Sequence, residues 1–94
     1  MSWSVYIILC SDNTFYTGIT VDVIRRFDQH AAGRGAKYFR SRQPKQLAYL
    51  EPGHNRSSAT KREIDLKNLR REEKSQMISS EMNKITKLLF QNRL

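Results

Sequence analysis

The chain is poor in cysteine, in acidic residues and in long apolar runs, and each shortage excludes something. A single cysteine, Cys10, can build neither a disulfide framework nor a thiolate zinc cluster, and it fits a reducing compartment. No stretch approaches the roughly 18 consecutive apolar residues of a membrane-spanning helix. The longest, Val5 to Cys10, has the length of a strand. The N-terminus lacks the basic region and small-residue cleavage site of a secretory signal. No internal repeat or low-complexity tract breaks the chain, and 94 residues make one compact domain rather than two. The expectation is a single cytoplasmic domain that makes no use of a membrane.

Nine acidic residues face 17 lysines and arginines, giving a net charge of +8. That footprint suits a polyanion. Between Arg34 and Lys45 the basic residues Arg34, Lys37, Arg40, Arg42 and Lys45 occur with no acid among them, and Tyr38 and Phe39 are interleaved. Cations neutralise phosphates and aromatic rings stack on bases, so this segment reads as a nucleic-acid contact. An anionic membrane would call for a basic amphipathic helix rather than a basic loop containing Gly33 and Gly35.

Trp3 to Cys10 and Phe15 to Thr20 read as two strands of a hairpin turning at Ser11-Asp12-Asn13-Thr14. From Asp22, a plausible N-cap as is Thr20, the period changes: Val23, Ile24, Phe27 and Ala31 recur at helical spacing up to Gly33. Arg34–Arg42 reads as an ordered loop and Gln46–Glu51 as a third strand, closed by a turn at Pro52-Gly53-His54-Asn55. A helix capped by Ser57 or Ser58 follows to about Arg71, with Ala59, Leu66 and Leu69 on one face. Gln76–Gln91 carries Ile78, Met82, Ile85 and Leu89 at amphipathic spacing and predicts a last helix. The order β-β-α-β-α plus a C-terminal helix predicts an α+β fold, a small three-stranded antiparallel sheet flanked by helices. Residues 1–75 form its body. Residues 76–94 either pack on that domain or dock a protein partner or a second copy.

Three features stand out against mere packing. Tyr6 and Tyr16 fall on one face of the hairpin if its loop has an odd residue count, and on opposite faces if it has two residues. Gly18, close to Tyr16, marks a place where something approaches the backbone closely. Arg26 and His30, one turn apart, flank the apolar stripe of the first helix, while Arg25 points away from it and joins the basic residues available to nucleic acid. Glu63 lies at the border of the second helix's apolar face, where a carboxylate needs a partner: a salt bridge to Arg26 or Arg62, or a metal ion. Together these are parts for cutting a phosphodiester. A hard cation takes one carboxylate plus phosphate oxygens, an arginine steadies the phosphate, and a tyrosine moves a proton.

At these residues the sequence resembles the GIY-YIG endonuclease superfamily. Ser4-Val5-Tyr6 stands at the first motif and Tyr16-Thr17-Gly18 at the second, followed by Ile19-Thr20, Arg26, His30 and Glu63. The run from Tyr16 through Asp22, Arg25-Arg26, His30, Gly33 and Gly35-Ala36-Lys37 is similar to the small stand-alone YhbQ-like members. It is also similar to the nuclease domain of branched-DNA endonucleases. The resemblance covers about residues 3–75. It implies a metal-dependent endonuclease acting on branched, flapped or single-stranded DNA in repair or recombination, using one Mg²⁺ or Mn²⁺. It implies that Tyr6 and Tyr16 shape the site and handle the proton of the attacking water, with Tyr6 favoured as general base. By the same resemblance Arg26 binds the phosphate, His30 supports it, Glu63 is the single metal ligand and Gly18 is structural. The first motif departs from Gly-Ile-Tyr in its first two residues, and Ile19 stands where some repair incision nucleases carry a lysine. The competing expectation is a non-catalytic nucleic-acid-binding module on the same fold.

Overall fold

The computed structural model describes residues 2–85. Strands β1 (Trp3–Cys10) and β2 (Phe15–Thr20) form the hairpin, followed by helix α1 (Val23–Ala31), a short 3-10 helix at Lys37–Arg40, strand β3 (Pro44–His54), and helices α2 (Arg56–Lys67) and α3 (Arg71–Ile78). The sheet is antiparallel in the order β2-β1-β3. The architecture is therefore the expected α+β fold.

The central strand feeds two cores because successive side chains point to opposite faces. Tyr6, Ile8 and Cys10 join Val23, Phe39 and Leu50 on one face. Val5 and Ile7 join Tyr49, Ala59 and Leu66 on the other. At the hairpin tip the Cys10 N–H bonds to the Thr14 carbonyl at 2.9 Å, leaving a three-residue loop with Asn13 at φ 66°. Asparagine tolerates that left-handed conformation, which the three-residue hairpin needs. The odd count fixes the register: Tyr6 pairs with Gly18 and Ile8 with Tyr16, so the two tyrosines share a face on a diagonal.

Four expectations need correction. The third strand does not stop at Glu51 for a turn. It runs to His54, because Pro52 lies on an edge strand and Gly53 at φ 86° supports a bulge before Trp3 pairs with His54. Asn55, rather than Ser57 or Ser58, caps α2, in a capping box with Ser58, and α2 ends at Lys67. The buried face of α1 is rotated from the apolar stripe: Ile24 and Ala31 are exposed, whereas His30 is completely buried. A buried imidazole with both nitrogens bonded outcompetes two apolar side chains for that place.

The last correction concerns the helix expected over Gln76–Gln91. Helix α3 ends at Ile78, and Ser79 to Lys84 is not helical. The Asn83 side chain explains the break. Its amide donates to the carbonyls of Ala48 and Ile78 at 2.9 and 2.8 Å and accepts the Leu50 N–H at 3.1 Å, while Lys84 N–H bonds to the Leu50 carbonyl at 2.8 Å. The segment therefore covers the outer edge of β3. Ile78 packs on one core and Ile85 on the other, and Met82 is exposed, so their spacing is not a single helical stripe. Leu89 lies outside the described residues.

Candidate active site

The candidate site is built over β2. Tyr6 reaches from the central strand across its pairing partner Gly18, where any β-carbon would stand 2.5 Å from the tyrosine hydroxyl. Glycine is thus required there by a close approach, the role its neighbourhood in the sequence pointed to. From α1, His30 Nε2 meets the Tyr6 hydroxyl oxygen at 2.9 Å.

The tautomer of His30 follows from its other nitrogen. The Ala36 N–H donates to Nδ1 at 3.3 Å, so Nδ1 is the acceptor and Nε2 carries the proton, which it donates to the Tyr6 oxygen. Burial, and secondarily the charge of Arg26, lower the His30 pKa to about 4, so the ring is neutral at neutral pH. The proton of Tyr6 is consequently left pointing away from His30. Burial, then the neighbouring Tyr16, push the Tyr6 pKa well above the usual phenol range, and Glu63 adds to this. Arg26 opposes it by hydrogen bonding and by charge. Tyr16 is also raised, by burial first, with Arg26 opposing and Glu63 adding.

Arg26 is half-buried, and its Nη1 donates to Gln29 Oε1 at 3.0 Å. Glu63 is half-buried on α2. Its partner is neither Arg26 nor Arg62 but Lys67, one turn on, at 3.4 Å. Arg62 instead binds Glu51, both carboxylate oxygens at 3.1 Å. Tyr6, Tyr16 and His30 stand together, their ring centroids 5.4 to 6.3 Å apart, and the charges of Arg26 and Glu63 both act on the two tyrosines. Among the described residues, no group of three or more His, Cys, Asp or Glu side chains could hold a metal. Glu63, with Lys67 beside it, offers one carboxylate, and a hydrated Mg²⁺ accepts a single carboxylate with waters and phosphate oxygens completing its shell.

The basic segment divides. Arg34, Lys37, Arg40 and Lys45 are exposed, as is Arg25. An open groove of ≈ 650 Å³ along α1 is lined by Arg25, Arg26 and Arg34 with Asp22, Ile24, Asp28 and Gln29. Arg42, by contrast, binds Asp12 at 2.7 Å and lies 3.8 Å from the centroid of the Tyr38 ring, whose hydroxyl bonds to Thr14. Tyr38 therefore has one ring face covered by its own chain. Phe39 is no platform for bases at all: it is 2% exposed and packs 4.3 Å, centroid to centroid, from His30.

Sequence reasoning missed three supporting residues. Gln29 orients Arg26, and its i,i+3 spacing on α1 was the available signal. Phe39 forms the floor under His30. At Gly35 a β-carbon would stand 2.0 Å from His30 Nδ1. Gly35 lies two residues past the glycine that ends α1, and nothing in its local pattern pointed to a close approach.

Comparisons with known proteins identify the family of this fold. A family model described as the GIY-YIG catalytic domain matches residues 2–76. A UPF0213 protein of Cronobacter sakazakii is 42% identical over 80 residues, covering 85% of this chain and 84% of that one. One from Haloquadratum walsbyi is 51% identical over 73 residues, covering 78% and 82%. The UPF0213 protein YhbQ of Escherichia coli is 42% identical over 77 residues, covering 82% and 77%. Among solved structures, the solution NMR structure of a UPF0213 protein from Bacillus halodurans is similar with a TM-score of 0.53 at 42% identity, covering 84% of each chain.

Proposed function

The chain belongs to the GIY-YIG family, a family of endonucleases, and from that premise we propose that it hydrolyses phosphodiester bonds in DNA using one divalent ion, Mg²⁺ or Mn²⁺. The observation that supports the reading is the contact of Tyr6 with His30 across a glycine that only close approach explains, with Arg26 and Glu63 near enough for their charges to act on Tyr6.

Glu63 would hold the ion, which supplies charge to polarise the scissile phosphate. Arg26, its guanidinium steadied by Gln29, binds the phosphate at the mouth of the arginine-lined groove. Tyr6 takes the proton of the attacking water only as the phenolate, after its own proton has passed to solvent through the open groove. Its oxygen already accepts the His30 N–H and lies beside Arg26, two donors that favour the phenolate when it forms. Tyr16 closes the aromatic wall next to it, 5.4 Å from His30. The strand beyond the scissile bond runs over Arg25 and Arg34, then toward Lys37, Arg40 and Lys45. Residues 1–75 make up the nuclease domain in this proposal, with residues 76–94 appended to it. Cytoplasmic repair or recombination of branched, flapped or single-stranded DNA is the setting that suits such an enzyme. Among the described residues no helix is long and apolar enough to cross a membrane.

The test is a cleavage panel of single-stranded, duplex, flapped and branched DNA with Mg²⁺ or Mn²⁺. The wild-type chain should cut at least one of these, and Arg26→Ala and Glu63→Ala should each abolish cutting. Cleavage that persists in both variants would overturn these roles. Salt-sensitive binding with no cleavage on any substrate would instead identify a binding module.

A further inference from the structure

Next to the arginine groove lies a second recess, ≈ 310 Å³, at the end of the sheet where β2 turns into α1. Trp3, Ile19 and Val21 wall it on the strand side, and Arg25, Arg26 and Gln29 on the helix side. The two recesses share Asp22, Arg25, Arg26 and Gln29, so the slot adjoins the phosphate position proposed at Arg26. We propose that the slot receives one unpaired nucleobase adjacent to the phosphate bound by Arg26, with Trp3 as its stacking surface. The inference rests on the nuclease reading of the Arg26 site and names what that site selects in its substrate.

Three observations support it. First, Val21 on the slot wall is 47% exposed, and Ile24, on the neighbouring groove that shares the arginines, is 43% exposed. Exposed apolar side chains flanked by cations are what a base and its phosphate together require. Second, Trp3 is half-buried rather than sunk in the core, and the Arg56 guanidinium braces it 5.7 Å from the ring centroid. Third, several acceptor atoms at the slot are already engaged: Asp22 Oδ1 caps α1 through the Arg25 N–H, the Thr20 hydroxyl bonds to Asp22, and Gln29 Oε1 holds Arg26. Stacking and charge, which every base satisfies, are the interactions this lining supplies in the first place. A base stacked inside a duplex cannot enter, so the slot selects strands with an unpaired nucleotide at the cut.

Trp3 is the chain's one tryptophan, so its fluorescence reports on the slot alone. With metal chelated to prevent cleavage, a short oligothymidylate should quench it. An abasic oligomer of equal length should bind, by anisotropy of an end label, without quenching. Trp3→Ala should weaken oligothymidylate binding about tenfold and leave abasic binding unchanged. Val21→Ser, at an exposed position that cannot compromise folding, should weaken the same binding about threefold. Equal quenching by both oligomers, or unchanged oligothymidylate affinity in Val21→Ser, overturns the proposal. Because this readout needs no catalysis, a chain that quenches but never cuts would refute the nuclease reading and keep the slot. A chain that cuts without base-dependent quenching would do the reverse.

Discussion

A β-carbon on Gly18 would lie 2.5 Å from the Tyr6 hydroxyl oxygen and 2.6 Å from the ring carbon that bears it. Tyr6 is 1% exposed, so its ring has nowhere to go without disturbing His30 and Tyr16. Gly18→Ala should therefore cost about 1–3 kcal/mol of stability, the range for forcing an extra carbon into a packed core. In the proposed mechanism the displaced group handles the proton and does not hold the strand, so the substitution should also lower kcat far more than it raises KM. Urea unfolding and steady-state kinetics on the same preparation check both.

His30 ties stability to pH. Its folded pKa, about 4, lies below the ordinary histidine value of 6.5 because burial and Arg26 disfavour the imidazolium. The unfolded chain therefore takes up a proton first as pH falls. The stability His30 contributes is present above about pH 6.5 and drains away between there and about pH 4. Protonation would also evict the Ala36 N–H from Nδ1. Thermal unfolding across that window should show Tm falling with pH in the wild type, and a shallower fall in His30→Gln.

On the opposite face, Glu51 is buried and bound by Tyr49 at 2.6 Å, His54 at 2.6 Å and Arg62 at 3.1 Å. Burial alone would raise its pKa, but the hydrogen bonds from Tyr49 and His54 and the charge of Arg62 outweigh it and leave the carboxyl below its usual range. Arg62→Met strands that carboxylate and should cost about 3 kcal/mol, toward the lower end for a broken buried pair because Tyr49 and His54 remain. Since the folded pKa is depressed, the wild-type contribution is complete above the ordinary carboxylate range and is lost as pH falls through the folded value. The penalty of Arg62→Met, measured by urea unfolding, should accordingly shrink toward acid pH.

The basic residues differ in how free their charges are. Arg34 lines the open groove, whereas Arg42 already pairs with Asp12 and lies over Tyr38. Plotting the logarithm of the DNA affinity against that of salt concentration should show Arg34→Ala reducing the slope by about 0.9, one phosphate contact, and Arg42→Ala changing it little. Equal reductions would mean that the Arg42 pair opens on binding.

Much of this was legible in the sequence because it is local. The hairpin, the Asp22 cap and the helical spacing of α1 and α2 follow from residues close together in the chain. The site residues were legible because tyrosines, an arginine, a histidine and a glutamate at those spacings resemble a known constellation. Their surroundings were not, because long-range partners decide them. His30 is buried through Tyr6 and Ala36, contacts that hydrophobic periodicity does not encode. Asn83 breaks the expected last helix by bonding to a strand more than thirty residues earlier. Phe39 looked like a base-stacking ring from its basic neighbours and proved to be the floor beneath the histidine.

The central claim is that the Glu63 carboxylate is needed for this fold to cut, while the exposed basic residues other than Arg26 only make it bind. Single-turnover cleavage of the preferred substrate at saturating Mg²⁺, wild type against Glu63→Gln, tests it most directly. The account predicts a rate loss of about 10³-fold or more, several kcal/mol of transition-state stabilisation, with DNA affinity essentially unchanged. A Glu63→Gln protein that cuts at the wild-type rate would contradict it.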